Sequence, residues 1–403
     1  MSETNPAAAH GQADDLPLAG VRVLDLSRIL AGPWCAQVLG DLGAEVVKVE
    51  HPERGDDTRD WGLRTGATNT SYFDAVNRNK TSVGIDLSTP EGLARVKAMA
   101  RDADVLVENF KTGGADRLGL GYEALSAENP GLIYCSITGY GSGGPEATRP
   151  GYDLLVQGEA GLMALNGEAG QPPLKFGVAA VDLFTGQYAA QAVLAALYQR
   201  TRTGRGRRVE LALFDCGLAI TSYYGLEALV QGKDPPRYGN AHPSIVPYGV
   251  FEAADGPLVI TVGNNAQFRR FCAAVLGRPE LADDPRFATN LERSRNRAEL
   301  LPQIRAELLR HRRADLLAKL RAEGIPAGEV LGLHAALTSE RARAAGMVIG
   351  AGGEGGSAEA SGGAARYVLA PPYRLDGRRM SVRRMPPALG ESDMPGLTKK
   401  SII

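Results

Sequence analysis

An α/β fold is predicted, with a Rossmann-like large domain built on a mostly parallel sheet and a smaller α+β domain. Two observations carry this reading. From Val21 to Thr138, short apolar β-branched runs alternate with stretches of helical length. After about residue 225 that alternation gives way to a different pattern. Strands separated by helices of about 10–15 residues need crossover connections, and these place helices on both faces of a parallel sheet.

The elements follow in order. VRVLDLS (21–27) is the first strand, Pro33 to Leu42 the first helix and AEVVKVE (44–50) the second strand. TSVGIDL (81–87) precedes the helical PEGLARVKAMARDA (90–103), and the strands VLVENF (105–110) and LIYCSIT (132–138) complete the series. Ligands of such sheets bind at the carboxyl ends of strands, so Ser27–Pro33, Glu50–Asp57 and Asn109–Gly114 are where a site is sought. Leu183 to Arg200 is apolar nearly all round, which predicts a buried helix; TRTGRGRR stops it, and VELALFD (209–215) returns to the sheet. GPLVITVG (256–263), Arg-rich helices between 266 and 323 and the turn GIPAGEV make a smaller α+β domain at 226–335. Residues 1–15 read as a disordered tail, and 350–364, rich in Gly, Ala, Ser and Glu, as a mobile loop between two strands.

Composition excludes several classes of function. Lys and Arg total 45 against 46 for Asp and Glu, a net charge of −1, so no global field favours nucleic acid or anionic membranes. Cys35, Cys135, Cys216 and Cys272 form no CxxC, which predicts neither a disulfide framework nor a zinc site and suits a reducing compartment. The first fifteen residues have no apolar h-region, and no run of about 18 apolar residues occurs. A cytoplasmic protein without a membrane span is expected.

Local motifs leave alternatives open. GYGSGG (139–144) fits G-x-G-x-x-G, but Pro145 and the polar residues after it supply no helix start for a pyrophosphate, so a nicotinamide dehydrogenase rests on this match alone. No P-loop and no HExxH occur, and no metal is expected. Asp182 directly precedes the apolar helix. It reads as an N-cap, or as a carboxylate kept ionised by the helix dipole and suited to nucleophilic attack, and these roles are compatible. Asp153, in RPGYDLL, shares the ambiguity. Asn109, Phe110, Lys111, Arg117 and Tyr122 lie near strand ends; they are solvated loop residues or a groove for an adenine ring and phosphates. Trp61 reads as a core residue.

LAGVRVLDLSRILAGP, LGDLGAEVVKVEHPERGDDTR, NRNKTSVGIDLSTPEG, DVLVENF, RLGLGYE and TGRGRRVELALFD together resemble the family III (CaiB/BaiF-type) CoA-transferases, over about residues 16–390. The resemblance implies that Asp182 is the nucleophile, working through an aspartyl mixed anhydride and an aspartyl-CoA thioester, with CoA thioesters as substrates and no permanently bound cofactor. It implies CoA contacts at Leu30, Ala31, His51, Ile85, Asp86, Leu87, Ser88, Asn109, Phe110, Lys111 and Arg117. Backbone donors of the 263–265 loop, at Asn264 and Asn265, would face the oxyanion. It further implies an interlocked homodimer, and a large CoA-binding domain of 16–225 completed by 336–403.

SITGYGSGGP, RYGNAHPSIVPYGVF and VGNNAQF are most like members that pass CoA from succinyl-CoA to small acids such as glutarate or hydroxymethylglutarate. Leu30 stands where formyl-CoA transferases have glutamine, which favours a longer acyl group. Arg28, Arg59, His242 and Ser244 are candidates for the distal carboxylate by motif position. An α-methylacyl-CoA racemase of the same family is the alternative. In this sequence Tyr152 stands where the racemase has its histidine and Asn265 where it has its glutamate, and tyrosine is a poor base near neutrality. A non-catalytic CoA-binding protein is a second alternative, and the presence of Asp182 counts against it.

Overall fold

A computed structural model describes residues 16–350 and 366–393. The chain divides into two units, one drawn from Met1–Leu162, Lys175–Val230 and Ser339–Ile403, the other from Met163–Leu174 and Gln231–Thr338. Residues 1–15 and 351–364, expected as a tail and a loop, lie outside the described residues.

The first unit runs β1 (Arg22–Asp25), α1 (Ala31–Asp41), β2 (Glu45–Glu50), α2 (Ser71–Ala75), β3 (Lys80–Gly84), α3 (Pro90–Asp102) and β4 (Val105–Glu108). It continues with α4 (Gly114–Arg117), α5 (Tyr122–Glu128), β5 (Ile133–Thr138), α6 (Asp153–Glu159), α7 (Leu162–Leu165, entering the second unit), α8 (Ala180–Thr203) and β6 (Arg207–Ala212). α9 (Leu213–Ala219) and α10 (Tyr223–Gln231) follow. All six strands are parallel, in the order β3-β2-β1-β4-β5-β6.

Side-chain alternation divides the strands between two cores. Val23, Val105, Val107, Ile133 and Cys135 face Cys35 and Leu39 of α1 and Ala189 and Val193 of α8. Leu24, Leu106 and Tyr134 face Val96 and Ala100 of α3 and Leu125 of α5. Both faces are covered, so the strands read as continuous apolar runs. Thr89 caps α3 by accepting the Gly92 N–H at 3.0 Å, and Pro90 begins the helix with its φ already set.

Charged residues also lie inside this unit. Lys80 pairs with Asp25 at 2.8 Å, Lys48 with Asp56 at 2.9 Å, Arg59 with Glu50 at 2.6 Å and Arg78 with Asp41 at 2.5 Å, all four pairs being buried. Ions withdrawn from water persist only when paired and hydrogen-bonded. Burial pulls Lys80 down to about 8 even with Asp25 beside it. The last described segment adds to the same network: Arg366 reaches Asp74 at 3.2 Å, Asn69 Nδ2 donates to the Pro387 carbonyl at 3.1 Å, and the Gly390 N–H donates to Ser82 at 3.1 Å.

α8 differs from its expected form in two ways. It begins at Ala180, so Asp182 is its third residue rather than its N-cap. Only one face is buried; Phe184 and Tyr198 on the other are 49% and 68% exposed. The apolar pattern all round the helix therefore exceeds what this chain alone covers. Its buried face approaches α1 at Gly186, where a Cβ would overlap the Ala31 carbonyl and lie 2.9 Å from Trp34 Cβ. We expect Gly186→Ala to destabilise the protein by about 1–3 kcal/mol through overpacking, read by thermal melts; an unchanged Tm would contradict this packing.

In the second unit, β7 (Tyr248–Ala253), β8 (Gly256–Thr261) and β9 (Ala327–Glu329) form an antiparallel sheet. Its core includes Phe251, Leu258, Phe268, Phe271, Phe287 and Leu316. Residues 163–174 join this unit through the Gly239 N–H, which donates to the Gly167 carbonyl at 3.1 Å. Back in the first unit, β10 (Val348–Gly350) pairs antiparallel with β11 (Tyr367–Leu369), so Gly350 of the expected loop ends a strand.

Candidate active site

The strand order reverses direction between β1 and β4, and the carboxyl ends of strands at such a switch point are where ligands of doubly wound sheets bind. Asn109, just past β4, grips the peptide of Arg28, just past β1. Its Oδ1 accepts the Arg28 N–H at 2.8 Å, and its Nδ2 donates to the Arg28 carbonyl at 2.7 Å. Glu108 accepts the Phe110 N–H at 2.8 Å. Gly113, at φ +73°, turns the chain, and a Cβ at Gly114 would lie 3.1 Å from Phe110 Cβ, so the glycine pair lets the loop close on the ring. Arg117 lies over that turn. Lys111 and Arg117 are exposed, and neither has an acidic partner within 4.0 Å among the described residues.

At the neighbouring strand ends, His51 Nδ1 accepts the N–H groups of Glu53 and Arg54 at 3.2 and 3.3 Å, which assigns the neutral ring's proton to Nε2. Asp86 accepts both the N–H and the hydroxyl of Ser88, at 2.9 and 2.7 Å. Those bonds lower its pKa, with His51 and Arg54 contributing. Leu30, Ala31 and Ile85 are buried and Leu87 is half-buried, so their side chains offer a ligand little surface. Loops after β1, β2, β3 and β4 thus offer backbone groups, an imidazole and two unpaired cations along one edge of the sheet, a surface suited to an extended anionic ligand.

Asp182 stands in the first turn of α8, one turn before Gly186 on the face that meets the start of α1. The capping carboxylate is Asp153, the first residue of α6: its Oδ1 accepts the Val181 and Asp182 N–H groups at 2.8 and 3.3 Å, and its Oδ2 accepts from Gln157 Nε2 at 2.6 Å. Asp153 reaches this position because Gly139 and Gly151 pack together; a Cβ on Gly139 would lie 2.6 Å from the Gly151 nitrogen. These glycines serve a close backbone approach, and no helix follows GYGSGG before Asp153.

The Asp182 carboxylate has no hydrogen-bond or ion-pair partner among the described residues. Burial first, and the negative charge of Asp153 second, raise its pKa to about 7, against the expectation of a carboxylate held ionised by the dipole. Tyr72 is near enough that Asp182 adds to the upward shift that burial causes in its phenol. Trp61 packs edge-on against Tyr72 with centroids 5.4 Å apart and is 38% exposed, so it is a surface residue rather than the expected core one. Tyr152 is exposed at the start of α6.

We expect kcat/KM for the acyl-CoA to rise with pH across an acid limb centred near 7, as Asp182 loses its proton. Asp153→Asn keeps the capping oxygen and removes the repelling charge, so it should move that limb to lower pH. An unmoved limb would assign it to another group.

One expected assignment needs correction. Arg59, a candidate for the distal carboxylate, is 3% exposed. Its Nε and Nη2 donate to the two oxygens of Glu50 at 2.7 and 2.6 Å, its Nη1 donates to the Thr68 carbonyl at 3.0 Å, and its guanidinium stacks 3.6 Å from the Phe73 ring. It is spent inside the fold. Asn264 and Asn265 use their side chains locally as well. Asn264 caps a helix by accepting the Gln267 N–H at 2.9 Å, and Asn265 accepts from the buried Arg293 at 3.0 Å. The Gly263 N–H is taken by Gln267 Oε1 at 2.8 Å, which leaves the Asn264 and Asn265 amides as that loop's donors.

Arg28 pairs with Asp57 at the surface. In the second unit, His242 Nδ1 accepts the N–H groups of Ser244 and Ile245, both at 3.1 Å, and its ring packs on Tyr248 with centroids 5.1 Å apart. A cavity of about 710 Å³ lies at the opposite, amino end of the strands, lined by Arg22, Glu45, Thr81 and Arg383 among others, and it includes none of the expected site residues. Ligands of doubly wound sheets bind at the carboxyl ends, so the strand-end loops are preferred to this cavity as the site.

A model of CoA-transferase family III matches residues 18–393. The chain belongs to that family. It is therefore a family III CoA-transferase, which removes the dehydrogenase and the non-catalytic alternatives. It is 42% identical to a succinate–glutarate CoA-transferase of Agrobacterium fabrum, over 96% of each chain. It is 39% identical to the human succinyl-CoA:glutarate CoA-transferase, over 93% of this chain and 84% of that one. A crystal structure of a CaiB/BaiF family protein from Brucella suis superposes with a TM-score of 0.82 at 43% identity, covering 94% of this chain and 97% of the other. Among the described residues, no group of three or more His, Cys, Asp or Glu could hold a metal ion, and no helix is long and apolar enough to cross a membrane. All four cysteines are buried and free.

Proposed function

We propose that this family III CoA-transferase moves CoA from succinyl-CoA to a small dicarboxylate such as glutarate or hydroxymethylglutarate, with Asp182 as the covalent nucleophile. The observation that carries the reading is the unpartnered Asp182 carboxylate, held by its own helix and by the Asp153 cap beside the switch-point loops. A partly desolvated carboxylate without a cation beside it is a better nucleophile than a hydrated one.

In the proposed cycle, an Asp182 oxygen attacks the thioester carbonyl. The C–S bond breaks, and the products are a succinyl–aspartyl anhydride and CoA thiolate. The thiolate attacks the aspartyl carbonyl, succinate leaves with the electron pair of the anhydride bond, and Asp182 becomes the CoA thioester. The acceptor carboxylate then repeats these steps in reverse, regenerating the Asp182 carboxylate. No proton is consumed. CoA lies along the loops of Asn109–Lys111, Arg117, His51 and Ile85–Ser88, with Lys111 and Arg117 meeting phosphates as fixed positive charges. Arg28, His242 and Ser244 remain candidates for the distal carboxylate.

We also propose a homodimer. Tyr198, Leu226, Leu229 and Val230 of α8 and α10 are exposed by 65–88%, large apolar side chains of the kind a subunit contact covers. Sedimentation should give twice the chain mass, and a monomer at micromolar concentration would contradict this.

The direct test of substrate is incubation with succinyl-CoA and a panel of acids, with mass detection of each new acyl-CoA. Glutaryl-CoA or hydroxymethylglutaryl-CoA is expected. Transfer only to formate or oxalate would overturn the dicarboxylate reading, and epimerisation of a 2-methylacyl-CoA without any transfer would favour the racemase.

A further inference from the structure

Between β1 and α1 the backbone makes a turn that its central residue disfavours. Ile29 has φ +73°, in the left-handed region, where a β-branched side chain crowds its own peptide. Side chains grip the peptides on all sides of it. The Ser27 carbonyl accepts from Lys48 Nζ at 2.8 Å, Asn109 holds both edges of the Arg28 peptide, and the Ile29 N–H lies 3.3 Å from each oxygen of Asp56.

Asp56 is itself fixed from several directions. It is 1% exposed, pairs with Lys48, accepts the Thr58 N–H and hydroxyl at 3.0 and 2.9 Å, and has its own N–H taken by Glu50 at 2.9 Å. Hydrophobic packing alone would not hold an isoleucine left-handed. A rigid buried acceptor aimed at its N–H can.

We propose that Asp56 is a positioning residue for the transfer reaction: by holding Ile29 left-handed, it sets where Leu30 and Ala31 stand relative to Asp182. The inference rests on the reading of Asp182 as the acyl acceptor. The link between turn and nucleophile is mechanical. Gly32, at the second position of α1, packs on Ser27 with no room for a Cβ, and Gly186 of α8 packs on the Ala31 carbonyl. A shift of the turn therefore passes into the α1–α8 contact, one helical turn from Asp182.

The test uses Asp56→Asn, Ile29→Gly and the double variant in the full-length protein. An asparagine has one carbonyl oxygen for Lys48, Thr58 and Ile29; once Lys48 takes it, the Ile29 N–H keeps one acceptor where it had two, and the amide NH₂ is set against the Thr58 and Ile29 N–H groups. We expect Asp56→Asn alone to lower kcat by about 10–100-fold, with KM for the acyl-CoA changed far less, as a displacement of the reacting groups by an ångström would do. Glycine adopts the left-handed turn freely. In the Ile29→Gly background, the same Asp56 substitution should therefore cost less than about a third of that factor. If Asp56→Asn alone fails to fold, recovery of folding and turnover in the double variant supports the inference.

An equal kcat loss in both backgrounds, no loss in either, or a double variant that stays unfolded or inactive would overturn it. Failure of the underlying reading looks different: Asp182→Ala would then retain exchange whatever stands at 56. The shift in Tm that couples Ile29→Gly to Asp56→Asn reads the turn without any chemistry.

Discussion

Asp182→Ala is expected to reduce CoA exchange by at least about 10⁴-fold, the scale on which loss of a covalent nucleophile is felt. The fold should survive. Asp182 makes no side-chain bond among the described residues, and the first turn of α8 is capped by Asp153 rather than by Asp182. Stability should even rise above neutral pH. A carboxyl whose pKa is raised from 3.8 to about 7 on folding contributes its full stabilisation only below about 3.8, and loses it as pH climbs through 7. Removing it therefore removes a liability at pH 8, visible as a higher Tm for the variant. Asp153 cannot substitute, because both of its oxygens already accept hydrogen bonds from Val181, Asp182 and Gln157. Retained exchange in Asp182→Ala would move the nucleophile elsewhere.

Arg59→Ala is expected to destabilise the protein by about 3–5 kcal/mol, the cost of leaving a buried carboxylate without its partner. The orphaned group is Glu50, 4% exposed, whose pKa is lowered against the opposing effect of burial by the Arg59 hydrogen bonds, with Lys48 and Ser82 also favouring the ionised form. The guanidinium also fills space over Phe73 and closes toward the Pro387 carbonyl at 3.4 Å, so the tail segment should loosen with it. Denaturant unfolding measures this directly. A variant of unchanged stability whose KM for the acceptor acid rises would instead restore Arg59 to the substrate site. The two outcomes are easily told apart.

The sheet was legible because its strands are buried on both faces, and the strand ends where ligands gather follow from that architecture. Charged residues inside the sheet were less so. Lys48 and Glu50 stand in AEVVKVE among valines, and in sequence they resemble the polar face of an ordinary amphipathic strand; only the arrival of Asp56 and Arg59 from the next loop explains how they are buried. GDDTRDWG looks like a solvated loop for the same reason. Asp182 stands out in the sequence by its place before a long apolar helix, but the capping role belongs to Asp153, 29 residues earlier in the chain, and no local pattern connects the two. Tyr72 was missed altogether: within TSYFDA it reads as one aromatic of a short helix, and its nearness to Asp182 emerges only in three dimensions. The exposed outer face of α8 shows the limit of periodicity, which reports that a surface is apolar and not which molecule covers it.

The central claim is that the acyl group passes through Asp182, and trapping tests it most directly. Protein incubated with succinyl-CoA and hydroxylamine should be inactivated irreversibly as the activated aspartyl carbonyl becomes a hydroxamate, and peptide mass spectrometry should place that single change on Asp182. Hydroxamate on Asp153 or another carboxylate, or unmodified Asp182 in protein that goes on exchanging CoA, would contradict the account.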